Sequence, residues 1–213
     1  MTELFNIILK IPSVRWIQCN CKSVSGVEPH LLASVLKRLK KLDIGRPWLN
    51  LHSEQLEVLL TAMAQKTNVK VLCVHYDYYN VARMNPELFA TAISNVAVVS
   101  MESNYPSSEQ LTALFSVITV KDRPLREIQL PYLRIDNVDP DILGRAINRL
   151  EAFYGEGGGI DDEQICAILR ILDKGGSRLK KLTLPLPSIG DVDLISRARP
   201  LTVSFYHYCY SEE

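Results

Sequence analysis

The chain has 213 residues, 47% of them hydrophobic, and its 24 Lys and Arg residues balance 24 Asp and Glu residues. A chain of this size can bury a substantial core, and a formal charge of zero argues against a nucleic-acid binder or a protein drawn to anionic lipid. The five cysteines have no repeated spacing, which predicts no disulfide framework. The start of the chain is not typical of a signal peptide, and no apolar run approaches the roughly 20 residues that span a bilayer. We therefore expect an intracellular, cytoplasmic protein.

Predicted strands and helices alternate along the whole chain. A first helix over Thr2 to Lys10 precedes the first strand. Six-residue strands are predicted at 14–19, 39–44, 69–74, 96–101, 125–130, 150–155 and 179–184, with a final strand near 201–206. Helices are predicted between them at 27–38, from 53, from 85, at 107–118, from 139, at 161–174 and at 191–199. Asn85-Pro86 and Asp139-Pro140 indicate helix starts, because Asn or Asp can cap a helix and Pro is tolerated in its first turn.

The strands share the pattern L-x-x-L-x-L, written most clearly from Leu179 to Leu184. In the seven clear copies the first, fourth and sixth residues are all apolar except Gly155, counting Cys19 as a small hydrophobe. The copies begin 25 to 30 residues apart, which is typical of a repeat protein. Stacked strand–helix units with right-handed connections place all strands on one surface and all helices on the other. We therefore predict a single α/β domain over 1–213, a horseshoe-shaped solenoid of about 7 to 8 repeats with a concave parallel sheet and convex helices.

These strands, at about 28-residue spacing, resemble the leucine-rich repeat family in its long, helix-bearing, ribonuclease-inhibitor-like class. The ninth position of that family is usually Asn or Cys, and here only Asn104 matches among the copies where the position can be placed. The resemblance therefore implies a divergent member. It implies a non-catalytic scaffold that binds a protein partner on the concave sheet. It also leaves open the substrate-recognition part of an F-box-type ubiquitin-ligase receptor, although the repeats begin almost at Met1, where such receptors carry a further helical motif.

Enzyme-like motifs are weak in this sequence. The glycine-rich stretch at 155–160 has Ile160 where a dinucleotide fingerprint needs its third glycine, and three acidic residues follow in the first helical turn. Cys19 and Cys21 lack the further ligands of a zinc site. Cys73 and His75 lie two residues apart and would share one face of a strand, which keeps an α/β enzyme open as a third alternative. We predict no catalytic site, no metal and no cofactor.

The predicted binding surface combines concave-face positions with tyrosines that follow the strands. Tyr and Trp bury large rigid surfaces and still offer a polar group, so they favour partner binding; the alternative is that these tyrosines cover the ends of the core. The predicted partner-binding residues are Trp16, Gln18, Cys73, His75, Tyr76, Tyr78, Glu102, Tyr105, Gln129, Tyr132 and Tyr154. The aromatic last strand, 205–210, would either cap the stack or form the edge of a homodimer.

Overall fold

The computed structural model describes residues 2–14, 16–20, 26–38, 41–45, 53–65, 69–73, 83–100, 106–120, 122–130, 135, 137–155, 159–185 and 202–206, with the backbone alone for 16–20, 41–45, 69–73, 100 and 202–206. The helices in this part of the chain are α1 (Thr2–Lys10), α2 (Pro29–Arg38), α3 (Ser53–Ala64), α4 (Pro86–Ser94), α5 (Ser108–Val120), α6 (Pro140–Ile147) and α7 (Asp162–Asp173). The strands are β1 (Trp16–Asn20), β2 (Lys41–Gly45), β3 (Val69–Cys73), β4 (Val96–Ser100), β5 (Glu127–Gln129), β6 (Ala152–Tyr154), β7 (Lys181–Pro185) and β8 (Thr202–Tyr206). None of these helices is both long enough and apolar enough to cross a bilayer.

Within each sheet the described strands are parallel and follow one another in chain order. Strands β3 to β8 form one six-stranded sheet, and β1 pairs with β2 in a second sheet whose edge lies in contact with β3. Consecutive helices pack against each other from α1 to α7. The chain is therefore an α/β protein with parallel sheets, and the predicted order and direction of the strands are confirmed within each sheet. The predicted pairing of β2 with β3 is not found among the described residues. The helix predicted at 191–199 lies outside the described residues.

Side chains at the helix ends explain where the helices begin and end. The Asn85 side chain accepts hydrogen bonds from the backbone N–H groups of Glu87 and Leu88, at 2.9 and 3.0 Å, just before Pro86. Asp139 caps α6 in the same way, accepting from the N–H of Ile142 at 2.9 Å. Both predicted proline-containing helix starts are confirmed. The helices begin there because the capping side chain satisfies a backbone N–H group that has no partner within the helix.

Helices of two kinds alternate along the chain. The proline-start helices α2, α4 and α6 begin with Pro29, Pro86 and Pro140, and the glutamine helices α3, α5 and α7 carry Gln as their third residue. Each of these glutamines is buried and donates from Nε2 to a carbonyl that precedes the proline-start helix before it. The three bonds are Gln55 to Val27 O at 2.6 Å, Gln110 to Met84 O at 2.9 Å and Gln164 to Val138 O at 2.8 Å.

A second set of bonds joins the other ends of the helices. Counted with the starting proline as the first residue, the tenth residue is Arg38, Asn95 or Arg149. Its side chain donates to a backbone carbonyl near the end of the preceding helix. The acceptors are Leu9 O for Arg38, Met63 O and Ala64 O for Asn95 at 3.1 and 2.9 Å, and Ile118 O for Arg149 at 3.4 Å. Side-chain to backbone bonds therefore connect each proline-start helix to the glutamine helix after it and to the helix before it.

The core lies between the helices and the sheet. The strand register aligns the fourth residues of five predicted strands in one row, in the order Leu72, Val99, Ile128, Phe153 and Leu182. Val203, the third residue of the strand predicted near 201–206, continues this row. The four central side chains of this row are 0% exposed. Burying large apolar side chains in this way is the main favourable contribution to folding.

Two departures from the predicted strand pattern have local causes. Strands β5, β6 and β7 begin two residues later than predicted, although Leu125, Leu150 and Leu179 are only 4%, 0% and 8% exposed. The backbone N–H groups of Arg126, Glu151 and Lys180 already donate to Ala97 O, Arg126 O and Glu151 O, respectively. The apolar pattern therefore predicts which residues are buried more closely than it predicts where each strand begins. At Gly155, a Cβ atom would lie 2.6 Å from Ile160 Cδ1 and 2.8 Å from Phe153 Cε1, so neighbouring side chains already fill the space of an apolar residue.

Candidate functional site

The candidate site is the face of the sheet opposite the core. Because successive strand residues point to opposite faces, the third and fifth residues of each predicted strand share this face. The register aligns Val98, Glu127, Ala152 and Lys181 in one row, and Ser100, Gln129, Tyr154 and Thr183 in the next. Lys181 is exposed and Val98, Glu127, Gln129 and Tyr154 are partly exposed, whereas Ala152 and Thr183 are buried. This face therefore presents charged, amide and phenol groups to an outside partner.

Two of the predicted binding residues lie side by side on this face. Gln129 of β5 is the register partner of Tyr154 of β6. The Gln129 amide donates from Nε2 to Glu127 Oε1 at 2.8 Å, which holds a carboxylate and an amide in a fixed arrangement along one strand. Such groups can accept and donate hydrogen bonds to a partner, and the tyrosine ring adds apolar area beside them.

Of the remaining predicted site residues, the structure describes either the backbone alone or nothing. Trp16 and Gln18 belong to β1, where their backbones pair with Lys41 and Asp43, and Cys73 ends β3 opposite Ser100. Six predicted residues lie outside the described part of the chain, namely His75, Tyr76, Tyr78, Glu102, Tyr105 and Tyr132. The tyrosine rim and the Cys73/His75 pair therefore stay predictions.

A ladder of charges, which we did not predict, precedes β5, β6 and β7. Glu151 Oε2 lies 2.9 Å from Lys180 Nζ, and Glu151 Oε1 lies 3.4 Å from Arg126 Nη1. The hydrogen bond and the charge of Lys180 lower the pKa of the Glu151 carboxyl below its ordinary value of 4.5. The charges of Arg126 and Arg178 lower this pKa further by smaller amounts, and burial partly offsets the lowering. The sequence signal was available, since all three residues of the ladder are second positions of their predicted strands.

The described residues offer little for metal or thiol chemistry. They contain no group of three or more His, Cys, Asp and Glu side chains that could hold a metal ion. Cys166 on α7 is a free, partly exposed cysteine. The arrangement on the sheet face is suited to recognition by hydrogen bonds and aromatic contact.

No protein-family model matches the sequence, and no curated protein matches it either. The fold and the polar face of the sheet therefore carry the functional interpretation. They define an α/β protein whose parallel strands follow chain order and whose sheet has one buried face and one face with accessible polar groups.

Proposed function

We propose that this chain is a divergent leucine-rich repeat protein, a solenoid with the sheet on its concave side, and that it serves as a non-catalytic scaffold for protein–protein interaction. Three features support the proposal. Parallel strands follow one another in chain order, consecutive helices pack together, and equivalent side-chain bonds recur in alternate strand–helix units. In repeat proteins each unit contacts its neighbours in sequence and forms an extended binding surface.

The observation that carries the binding function is the pair of rows on the sheet face. Gln129 and Tyr154 are adjacent there, with Glu127 held at 2.8 Å by the Gln129 amide. A rigid aromatic ring flanked by hydrogen-bonding groups is typical of residues that contribute most to protein–protein binding. The partner would cover this face together with the predicted tyrosine rim and Trp16.

The proposal can be tested by capturing partners from a native lysate, identifying them by mass spectrometry and measuring affinity by calorimetry. We expect Tyr154→Ala combined with Gln129→Ala to weaken binding by about 30-fold, the equivalent of about 2 kcal/mol. The thermal unfolding midpoint should change little, because both side chains are partly exposed. Glu163→Ala on the helix layer is the matched control and should bind normally. Wild-type affinity in the double variant would rule out this surface.

A further inference from the structure

One side of α1 is apolar and exposed. Leu4 and Ile7 on this helix are 45% and 51% exposed, and Ile11, which follows the helix, is 42% exposed. The Ile11 N–H donates to Ile8 O at 3.2 Å, so Ile11 continues the helical turn. Spacings of three and four residues place Leu4, Ile7 and Ile11 in one row along the helix. We call these three residues the α1 row.

The position of α1 in the chain matches that of the glutamine helices. Helix α1 begins with Thr2 and Glu3, and α3, α5 and α7 each begin with Ser or Asp followed by Glu. Like α3 and α5, it precedes a proline-start helix, whose Arg38 side chain donates to Leu9 O. Counted from the first residue of the helix, the α1 row occupies the third, sixth and tenth positions.

In α7 the residues at these three positions face the preceding helix, α6. Gln164, at the third position, donates to Val138 O just before α6 at 2.8 Å. A Cβ atom at Gly144 of α6 would lie 3.2 Å from Ala167 O and 2.6 Å from Ile171 Cδ1, at the sixth and tenth positions. The α1 row is therefore the side on which a helix of this series packs against another helix. Of the described helices, α2 is the one that packs against α1, and the row is still exposed.

Leu4 distinguishes this side of α1 from the same side of the glutamine helices. Each third-position glutamine donates to a carbonyl that precedes a proline-start helix. Leu4 has no hydrogen-bond donor and offers apolar surface instead. A proline-start helix on α1 would leave its preceding carbonyl without the amide partner. The α1 row therefore fits a helix that is itself apolar at the contact.

The α1 row is complementary to a second copy of itself. In two antiparallel helices related by a two-fold axis, Leu4 faces Ile11 of the second copy and Ile7 lies beside the axis, because residue 7 is next to the midpoint of residues 4 and 11. Glu3 and Lys10 are exposed, and because they are seven residues apart they lie within about 20° of each other around α1. The same axis therefore brings Glu3 of one copy toward Lys10 of the other. Parallel helices would leave these two about 10.5 Å apart along the axis.

We propose that this chain forms a weak homodimer in which α1 packs antiparallel against α1 of a second copy across a two-fold axis. The formal charge of zero means that two copies do not repel each other. A nine-residue helix buries less than the roughly 800 Å² per partner of a stable complex, so the dimer should form between about 10 µM and 1 mM. This interface differs from the homodimer predicted through 205–210, and it does not depend on the binding function proposed for the sheet face.

Sedimentation equilibrium of the full chain between about 10 µM and 1 mM tests the dimer. We expect Ile7→Glu to weaken dimerisation at least about tenfold, because it places two carboxylates beside the two-fold axis. Val120→Glu is the matched control, since Val120 is a 74% exposed apolar residue at the end of α5, and it should dimerise as the wild type does. Both variants should keep the wild-type circular dichroism spectrum. The proposal is overturned if the wild type stays monomeric at 1 mM, or if Ile7→Glu and Val120→Glu dimerise equally well.

A charge exchange tests the antiparallel arrangement and does not require a change in the α1 row. Glu3→Lys and Lys10→Glu should each weaken dimerisation by about threefold or more, because like charges then meet. An equal mixture of the two variants should dimerise as well as the wild type, because every facing pair is again of opposite sign. In a mixture of labelled and unlabelled wild-type chains, isotope-filtered NMR should show an intermolecular NOE between the methyl groups of Leu4 and Ile11. A dimer without this NOE, or a mixture no tighter than its components, would overturn the proposed arrangement.

Discussion

At the scale of single residues, the buried amide of Gln164 connects two helices through several hydrogen bonds. Its Nε2 donates to Ile135 O at 2.6 Å and to Val138 O at 2.8 Å, and its Oε1 accepts from the N–H of Asp161 at 3.3 Å. The residue is 0% exposed, so water cannot replace these partners. Leaving a buried polar group without a partner costs about 1 to 3 kcal/mol.

Gln164→Glu keeps the shape of the side chain but removes both donors and places a carboxylate against two carbonyl oxygens. We expect the free energy of unfolding at pH 7 to fall by about 2 kcal/mol or more, measured by urea denaturation. Glu163→Gln changes the exposed neighbour and should stay within about 0.5 kcal/mol of wild type. Equal urea midpoints for Gln164→Glu and wild type would contradict the role assigned to this amide.

The charge ladder predicts how one carboxyl titrates. Because Lys180 and Arg126 favour the ionised form of Glu151, an NMR titration should give a pKa below 4.5 for its carboxyl, and Lys180→Met should raise it toward that value. The folded-state pKa is depressed, so the stabilisation by the ladder is present above pH 4.5 and is lost as the pH falls through the folded-state pKa. A Glu151 pKa unchanged by Lys180→Met would show that the contact does not form in solution.

At the scale of elements, the packing around the fifth residue of the proline-start helices differs from one helix to another. Gly144 on α6 is close to Ile171 Cδ1 and to Ala167 O, at 2.6 and 3.2 Å from the position of a Cβ atom. Ala33, the corresponding residue of α2, is partly exposed instead. The same helix position is therefore tightly packed in one pair and partly exposed in another.

This difference predicts that a valine destabilises the fold at one of the two positions and has little effect at the other. Gly144→Val should lower the free energy of unfolding by about 1 to 3 kcal/mol because the valine displaces Ile171, whereas Ala33→Val should change it by about 0.5 kcal/mol or less. Adding Ile171→Ala to Gly144→Val should recover part of the loss, since it makes room for the valine. Thermal and urea unfolding of the four proteins would measure these effects. Equal losses at both positions would contradict the described packing.

At the scale of the whole molecule, contacts join neighbours in sequence. Helix α4 packs against α3 and α5, whereas α1 packs against α2 at the start of the described helix layer. On α1, Leu4 and Ile7 are 45% and 51% exposed, and Ile11, which follows the helix, is 42% exposed. Elements with fewer buried contacts open more easily than those in the middle of a stack.

We therefore expect graded opening in native-state hydrogen exchange. The amides of α1 should exchange at least about tenfold faster than those of α4 and α5 at low denaturant, because α1 has a helical neighbour on one side. The protected amides of β4, β5 and β6, which pair on both sides, provide the internal reference. Uniform protection across all these elements would show a single cooperative unit instead.

The repeated spacing of apolar residues was enough to locate most helices and strands and to order the strands. Spacing works because each apolar residue must leave water wherever its element finally packs, as the buried Val99, Ile128 and Leu182 illustrate. The candidate site could be predicted only in part from this spacing. Gln129 and Tyr154 were placed on one face by alternation alone, but their adjacency follows from the register of two strands.

The sequence by itself determined the alternation of strands and helices, the capped starts at Asn85 and Asp139, and the row of residues that forms the core. Only the tertiary structure decided the features that depend on two distant segments meeting. The close approach of Ile171 to Gly144 and the ladder around Glu151 are of this kind. The physical reason is that the spacing of apolar residues within one segment fixes which of its side chains are buried. The atoms that these side chains contact belong to neighbouring strand–helix units, about 25 to 30 residues away in the sequence.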